Sequence, residues 1–137
     1  MRVFFDSSAF AKRYIEEHGS EQVLAWCDRA TELALSVVAV PELISAFCRL
    51  RREGKVSKPQ YATLKKQLLQ DIADALIVDT TPLVLRHAVL ALESHVLRGM
   101  DAIHIGAAIE CGAQAFITAD KRQADAARAM GLEVVLV

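Results

Sequence analysis

Short runs of Val, Ile, Leu and Phe recur along this chain, and each is followed by a stretch with helical spacing. Val3–Phe5, "ELALSVV", "LIVD", "AFIT" and "EVVLV" have the length and composition of strands buried on both faces. Between them lie "SAFAKRYIEEHG", "SEQVLAWCDRA", "VPELISAFCRLRREG", "SKPQYATLKKQLLQDIADA", "TPLVLRHAVLALESH", "DAIHIGAAIECG" and "DKRQADAARAMG", which read as helices. Strand–helix alternation of this kind demands a parallel sheet covered on both sides, because each crossover must return over one face. The fold class predicted is α/β: a three-layer α/β/α sandwich around a central, mostly parallel five-stranded sheet.

Local signals place the boundaries. Ser8 is expected to cap the first helix and Gly19 to end it, with Ser20 capping the second. Pro41 and Pro59 fit first helical turns, Ser57 a cap, and Thr80 or Thr81 a cap before Pro82. Two successive helices between the second and third strands read as an inserted helical hairpin. The chain of 137 residues, 53% hydrophobic, suits a single domain spanning 1–137.

Composition excludes several classes. A net charge of -1 means that any nucleic-acid role must rest on a local patch. Cys27, Cys48 and Cys111 lack metal or disulfide spacing and are expected to be free, buried thiols of a cytoplasmic protein. No apolar run approaches a membrane span, and no secretory signal is read at the start. There is no Gly-rich phosphate loop and no nucleophile elbow.

What remains is a set of acids. In an open parallel sheet, ligands sit beyond the carboxyl ends of the strands. Asp6 follows the first strand, Asp79 the third and Asp120 the fourth, while Glu42 and Asp101 begin helices. A carboxylate in a first helical turn is ordinary by itself, since it complements the helix dipole. Asp101 is less ordinary, because the small residues Gly106, Ala107 and Ala108 should draw its helix onto the sheet. Asp6 ends a strand expected to be central, where an unneutralised charge is costly. Carboxylates converging without a matching His or Cys set suit Mg²⁺ or Mn²⁺, and such centres hydrolyse phosphodiesters.

Four stretches, "VFFDSSAFAKRYIEE", "PELISAF", "GMDAIHIGAAI" and "FITADKRQADAARAMGLEV", occur in an order and spacing that resembles the PIN-domain family, in particular VapC toxins of toxin–antitoxin pairs. The resemblance runs from Val3 to Val134 and implies a metal-dependent endoribonuclease. It places the catalytic and metal-binding acids on Asp6, Glu42, Asp101 and Asp120, and the supporting hydroxyls on Ser7 and Thr118. It also implies an RNA substrate, a cognate VapB-type antitoxin and a homodimer, with Mg²⁺ as cofactor. Gly99 and Met100 depart from the bulkier pairs common before the third acid. Asp125 is read as a surface charge and Asp79 as structural.

From Arg49 to Lys66 the hairpin carries Arg49, Arg51, Arg52, Lys55, Lys58, Lys65 and Lys66 against one acid, Glu53. Such an arm could hold phosphates, as could Lys121 and Arg122, or it could be a solvated face. Tyr61 within it could stack on a base. His104, three residues after Asp101, is read as a packed or surface histidine in preference to a partner of the acids or a proton donor. His18, His87 and His95 show no usable arrangement. Two other classes stay in view. A signalling receiver domain would want an adjacent acidic pair and a late Lys, whereas "FFDSS" offers one acid and the chain closes on "VVLV". A catalytically silent PIN-fold protein that binds RNA or a partner is the second.

Overall fold

A computed structural model describes residues 1–137. The strands are β1 (Arg2–Phe5), β2 (Glu32–Ser36), β3 (Leu76–Val78), β4 (Ala115–Thr118) and β5 (Val134–Leu136). They form one five-stranded sheet in the order β3-β2-β1-β4-β5, every pair parallel, with β1 at the centre. The helices are α1 (Ser7–Phe10), α2 (Ser20–Arg29), α3 (Ala39–Arg52), α4 (Lys58–Asp74), α5 (Pro82–Ser94), α6 (Gly99–Glu110) and α7 (Lys121–Ala129).

Side-chain alternation along β1 divides the interior into two cores. Val3 and Phe5 point to one face, where they meet Leu35, Ile117, Phe10, Leu43, Phe47 and Leu68. Phe4 points to the other face, onto Ala34, Phe116, Val84, Ile105, Ala107 and Ala108. Phe4 lies opposite Phe116 in register, and their rings stack at 5.6 Å. Burying both faces of β1 is what forces helices onto both sides and gives the three-layer sandwich.

The first helix is much shorter than its sequence suggests. α1 is a single turn, continued by a 3₁₀ turn at Ala11–Arg13, after which the chain leaves the helix. Tertiary contacts override the local helical pattern. Tyr14 donates to Asp71 of α4 at 2.5 Å and Arg13 Nε to the same carboxylate at 2.9 Å, which pulls this segment across to the hairpin. The cap is Asp6, which accepts from the Ala9 N–H, and not Ser8. Gly19 opens α2 with a positive φ of 91° and does not end α1; Ser20 lies inside α2. The second strand also stops early, at Ser36, whose hydroxyl accepts from the Val38 N–H and turns the chain into α3.

The expected hairpin is present as α3 and α4, joined through Gly54 at a φ of 73°. Ser57 caps α4 in a reciprocal capping box with Gln60. Ser57→Ala should cost about 1 kcal/mol, read as a lower melting temperature with an unchanged circular dichroism spectrum well below it. Thr81, not Thr80, caps α5. Gly106 of α6 packs against α5 and not against the sheet: a Cβ there would fall well inside contact distance of the Val84 carbonyl oxygen and 3.3 Å from the Ala88 nitrogen. Ala107 and Ala108 face the sheet as expected. The three cysteines are free but only partly buried. No helix is long and apolar enough to cross a membrane.

Candidate active site

β1 and β4 deliver the first two acids to the carboxyl edge of the sheet. Asp6 follows β1 and is 1% exposed. Its carboxylate accepts from the Ala9 N–H at 2.8 Å, from Ser8 Oγ at 2.8 Å and from Thr118 Oγ1 at 2.6 Å. Burial pushes the Asp6 carboxyl above its ordinary value, against the pull of these hydrogen bonds. Thr118 ends β4, and its hydroxyl also accepts from the Asp120 N–H at 3.0 Å, so one buried group orients both acids. Asp120 caps α7 by accepting from the N–H groups of Arg122 and Gln123. Buried Gln123 in turn donates to the Asp101 carbonyl at 3.0 Å and latches α7 to α6.

The other two acids come from helix first turns. Asp101 lies at the start of α6, its side chain 18% exposed and 3.6 Å from Arg98. Burial raises its carboxyl above the ordinary Asp value; Arg98 opposes this, and the charges of Asp120 and Glu42 add to it. Glu42 lies in the first turn of α3. Its Oε1 accepts from Ser7 Oγ at 2.8 Å and from His104 Nε2 at 2.6 Å. Burial works against ionisation of Glu42, yet the hydrogen bonds from His104 and Ser7, with Arg98 nearby, hold it below its usual range.

The four acids are thus gathered around one edge, but not into one chelate. Glu42 and Asp101 line a common cavity of about 530 Å³ with Arg98, Met100 and the α5 residues Leu85 and Val89. Asp6 and Asp120 sit beside it, joined through Thr118. No three His, Cys, Asp or Glu side chains close on a shared point as a ready metal site. The donor chemistry nevertheless fits a hard divalent cation. The donors are carboxylate oxygens, and Asp101 already carries the repulsion from its acidic neighbours that a cation would relieve.

Ser7 takes its place beside Glu42. His104, read from sequence as packed or surface, is buried and bonded to Glu42. Arg98 and Gln123 carried no signal of their own in the sequence, and Ser8, read there as a helix cap, instead donates to Asp6. Asp125 is a surface charge paired with Arg128 at 3.6 Å, and Asp79 is exposed just after β3.

The basic arm divides. Arg49 and Arg52 are exposed about two and three turns beyond Glu42 on the same side of α3, whereas Arg51 points about half a turn away. Arg51 instead lies 5.9 Å from the Tyr61 ring and lines a separate groove with Lys58, Lys65 and Lys66. Lys55 pairs with Glu53 at 3.2 Å. Lys121 lines a different cavity with His18, and the exposed Arg122 meets Asp120 through its backbone N–H.

Comparison with known proteins agrees with this architecture. Residues 3–129 match the PIN domain. The chain is 31% identical over 134 residues to Ribonuclease VapC45 of Mycobacterium tuberculosis (strain CDC 1551 / Oshkosh), covering 96% of this chain and 93% of that protein. Among solved structures, VapC20 of Mycobacterium tuberculosis, described as a sarcin-ricin loop cleaving toxin, superposes with a TM-score of 0.70 at 15% identity, covering 98% and 99% of the two chains. A toxin-antitoxin complex from Klebsiella pneumoniae gives 0.69 at 16% identity, covering 97% and 95%. At such identities the structures share the fold. The domain match and the VapC45 relative each span nearly the whole chain, and on that ground this protein belongs to the PIN-domain family.

Proposed function

We propose that this protein is a divalent-metal-dependent endoribonuclease and the toxin of a toxin–antitoxin pair. The observation that carries the reading is the position of Asp6, Glu42, Asp101 and Asp120 at the carboxyl edge of the sheet, with Glu42 and Asp101 on one cavity and Asp6 and Asp120 bridged by the Thr118 hydroxyl. Asp101 and Asp120, with Asp6 and the free oxygen of Glu42, would hold Mg²⁺ or Mn²⁺. A bound divalent cation supplies a more acidic water and neutralises the leaving oxygen.

The chain's own groups do the rest. Thr118 holds Asp6 and Asp120 in fixed relation, and Ser7 and His104 hold Glu42. Arg98 stands at the cavity mouth with its side chain 87% exposed, placed to meet phosphate. Arg49 and Arg52 extend a track of positive charge along α3 away from Glu42. The exposed apolar row on α5, with Leu85, Val89 and Leu92, is the surface offered to a second copy. A cognate antitoxin partner is inferred from the toxin–antitoxin assemblies that share the fold.

The test is incubation of purified, partner-free protein with mixed cellular RNA in Mg²⁺, Mn²⁺ or chelator. Discrete fragments that require metal are expected; cleavage that persists in chelator would refute the metal-dependent reading. Arg49→Ala with Arg52→Ala should raise KM about tenfold and reduce the salt slope of RNA binding by about two, one for each phosphate no longer neutralised. An unchanged slope would remove these residues from the RNA path. The second reading, a silent PIN-fold binding protein, is favoured by the open arrangement of the acids. It predicts no heat of Mn²⁺ binding in calorimetry.

A further inference from the structure

His104 is a side chain the acids do not explain. It is 1% exposed, on α6, with its ring edge toward Phe4 at 6.4 Å between centroids. Nε2 lies 2.6 Å from Glu42 Oε1 and 3.3 Å from Ser7 Oγ. Nδ1 is buried with no hydrogen-bond partner. Of the two neutral tautomers, the one with its proton on Nε2 is the one that fits. It gives the carboxylate a donor and leaves only a lone pair unmatched, whereas an Nδ1–H would be a buried donor with nothing to bond.

We infer that His104 is a positioning residue for Glu42. Together with Ser7 it ties down Oε1 and leaves Oε2 as the oxygen free to serve the cavity shared with Asp101. The inference rests on the nuclease reading for its consequence but not for its geometry. Glu42 rides on α3 at one side of the cavity and Asp101 on α6 at the other, and no backbone hydrogen bond joins those two turns. The His104–Glu42 contact is the direct side-chain link between the helices. A carboxylate free to rotate could chelate through both oxygens or swing to Arg98; one held at Oε1 presents a single donor in a fixed direction. Partners of metal-binding carboxylates act in this way, and their loss typically weakens metal affinity about 10–100-fold.

The variants follow from atom positions. His104→Gln keeps an N–H near the place of Nε2, while His104→Phe keeps the ring against Phe4 and removes the donor. Ser7→Ala removes the other donor to the same oxygen without touching the core. The first readout needs no metal: the Glu42 carboxyl ¹³C resonance and the His104 ¹⁵N pattern in the free protein. Wild type should show the proton on Nε2. The Glu42 resonance should move in His104→Phe and return toward wild type in His104→Gln. The second readout is Mn²⁺ affinity by calorimetry, expected to fall about 10–100-fold in His104→Phe and to recover in His104→Gln. If His104→Phe does not fold, His104→Asn, whose amide sits one methylene short of the Gln amide, carries the same test against His104→Gln. A Glu42 resonance indifferent to the donor, or equal Mn²⁺ affinity in folded His104→Phe, overturns the proposal. A resonance that follows His104 in a wild-type protein that binds no Mn²⁺ rejects the nuclease reading and leaves the positioning role standing.

Discussion

Asp101→Asn is expected to lower metal-dependent RNA cleavage by about three orders of magnitude, roughly 4 kcal/mol of transition-state stabilisation. The same variant should be more stable than wild type in metal-free buffer. Both effects come from one fact: a carboxyl in a largely buried position, raised above its ordinary value by burial and by Asp120 and Glu42 despite Arg98. The sign follows from linkage. A raised folded-state value means that the folded chain binds more protons than the unfolded chain between the ordinary Asp value, about 3.9, and the raised one. The favourable contribution is complete below about pH 3.9 and is lost as pH rises through the folded value. Asparagine removes that loss. Thermal unfolding should therefore give nearly equal stabilities at about pH 3 and a higher stability for the variant at about pH 7. Added Mn²⁺ should stabilise wild type by mass action and reverse the order. A variant less stable than wild type at neutral pH without metal would show that Asp101 is a structural acid. Asp6 contributes a slope of the same sign, because its burial also outweighs its hydrogen bonds.

Gly106→Ala is the substitution expected to damage the fold most for its size. In an exposed helix such a change would gain about 1 kcal/mol from propensity alone. Here the new methyl would strike the Val84 carbonyl oxygen and crowd the Ala88 nitrogen, both rigid backbone of α5. Relief requires α5 and α6 to part, and the layer behind them (Phe4, Ile105, Phe116) is fully buried and cannot follow cheaply. A net cost of about 2–3 kcal/mol is expected, read as a fall in melting temperature of roughly 10 °C. Cleavage should fall too, because α6 carries Asp101 in its first turn and His104 one turn later. A neutral Gly106→Ala would mean that the helices slide without penalty and that their spacing does not set the site. Ser57→Ala, a local cap, should leave cleavage untouched at temperatures where it is folded.

The parallel α/β sandwich, the central place of β1, the hairpin and its caps were legible because they depend on local periodicity and on residues with one strong conformational habit. Pro41, Pro59 and Ser57 mark first turns through constraints that act within a few residues. Position alone marked five acids, Asp79 among them, since each sits where a strand ends or a helix begins; the family resemblance singled out Asp6, Glu42, Asp101 and Asp120. The segment after β1 was not legible. "AKRYIEE" has an acceptable helical pattern, and the chain leaves the helix there because Asp71, far along the sequence, draws Arg13 and Tyr14 across to α4. Gly106 was legible as a close-packing residue, but whether it met the sheet or α5 depended on how α6 is rotated.

His104 marks the boundary between the two kinds of knowledge. By sequence it is a histidine three residues from an acid, and that spacing is shared by many surface pairs. Its role depends on Glu42, 62 residues away, reaching it at 2.6 Å. Sequence alone determined which chemical groups the carboxyl edge of the sheet would carry, because short-range patterns decide where strands end. Only the tertiary structure decided how those groups are oriented: Thr118 between Asp6 and Asp120, and His104 and Ser7 on one oxygen of Glu42. Orientation comes from packing between distant segments, and the energies that choose it are summed over interactions no local pattern records.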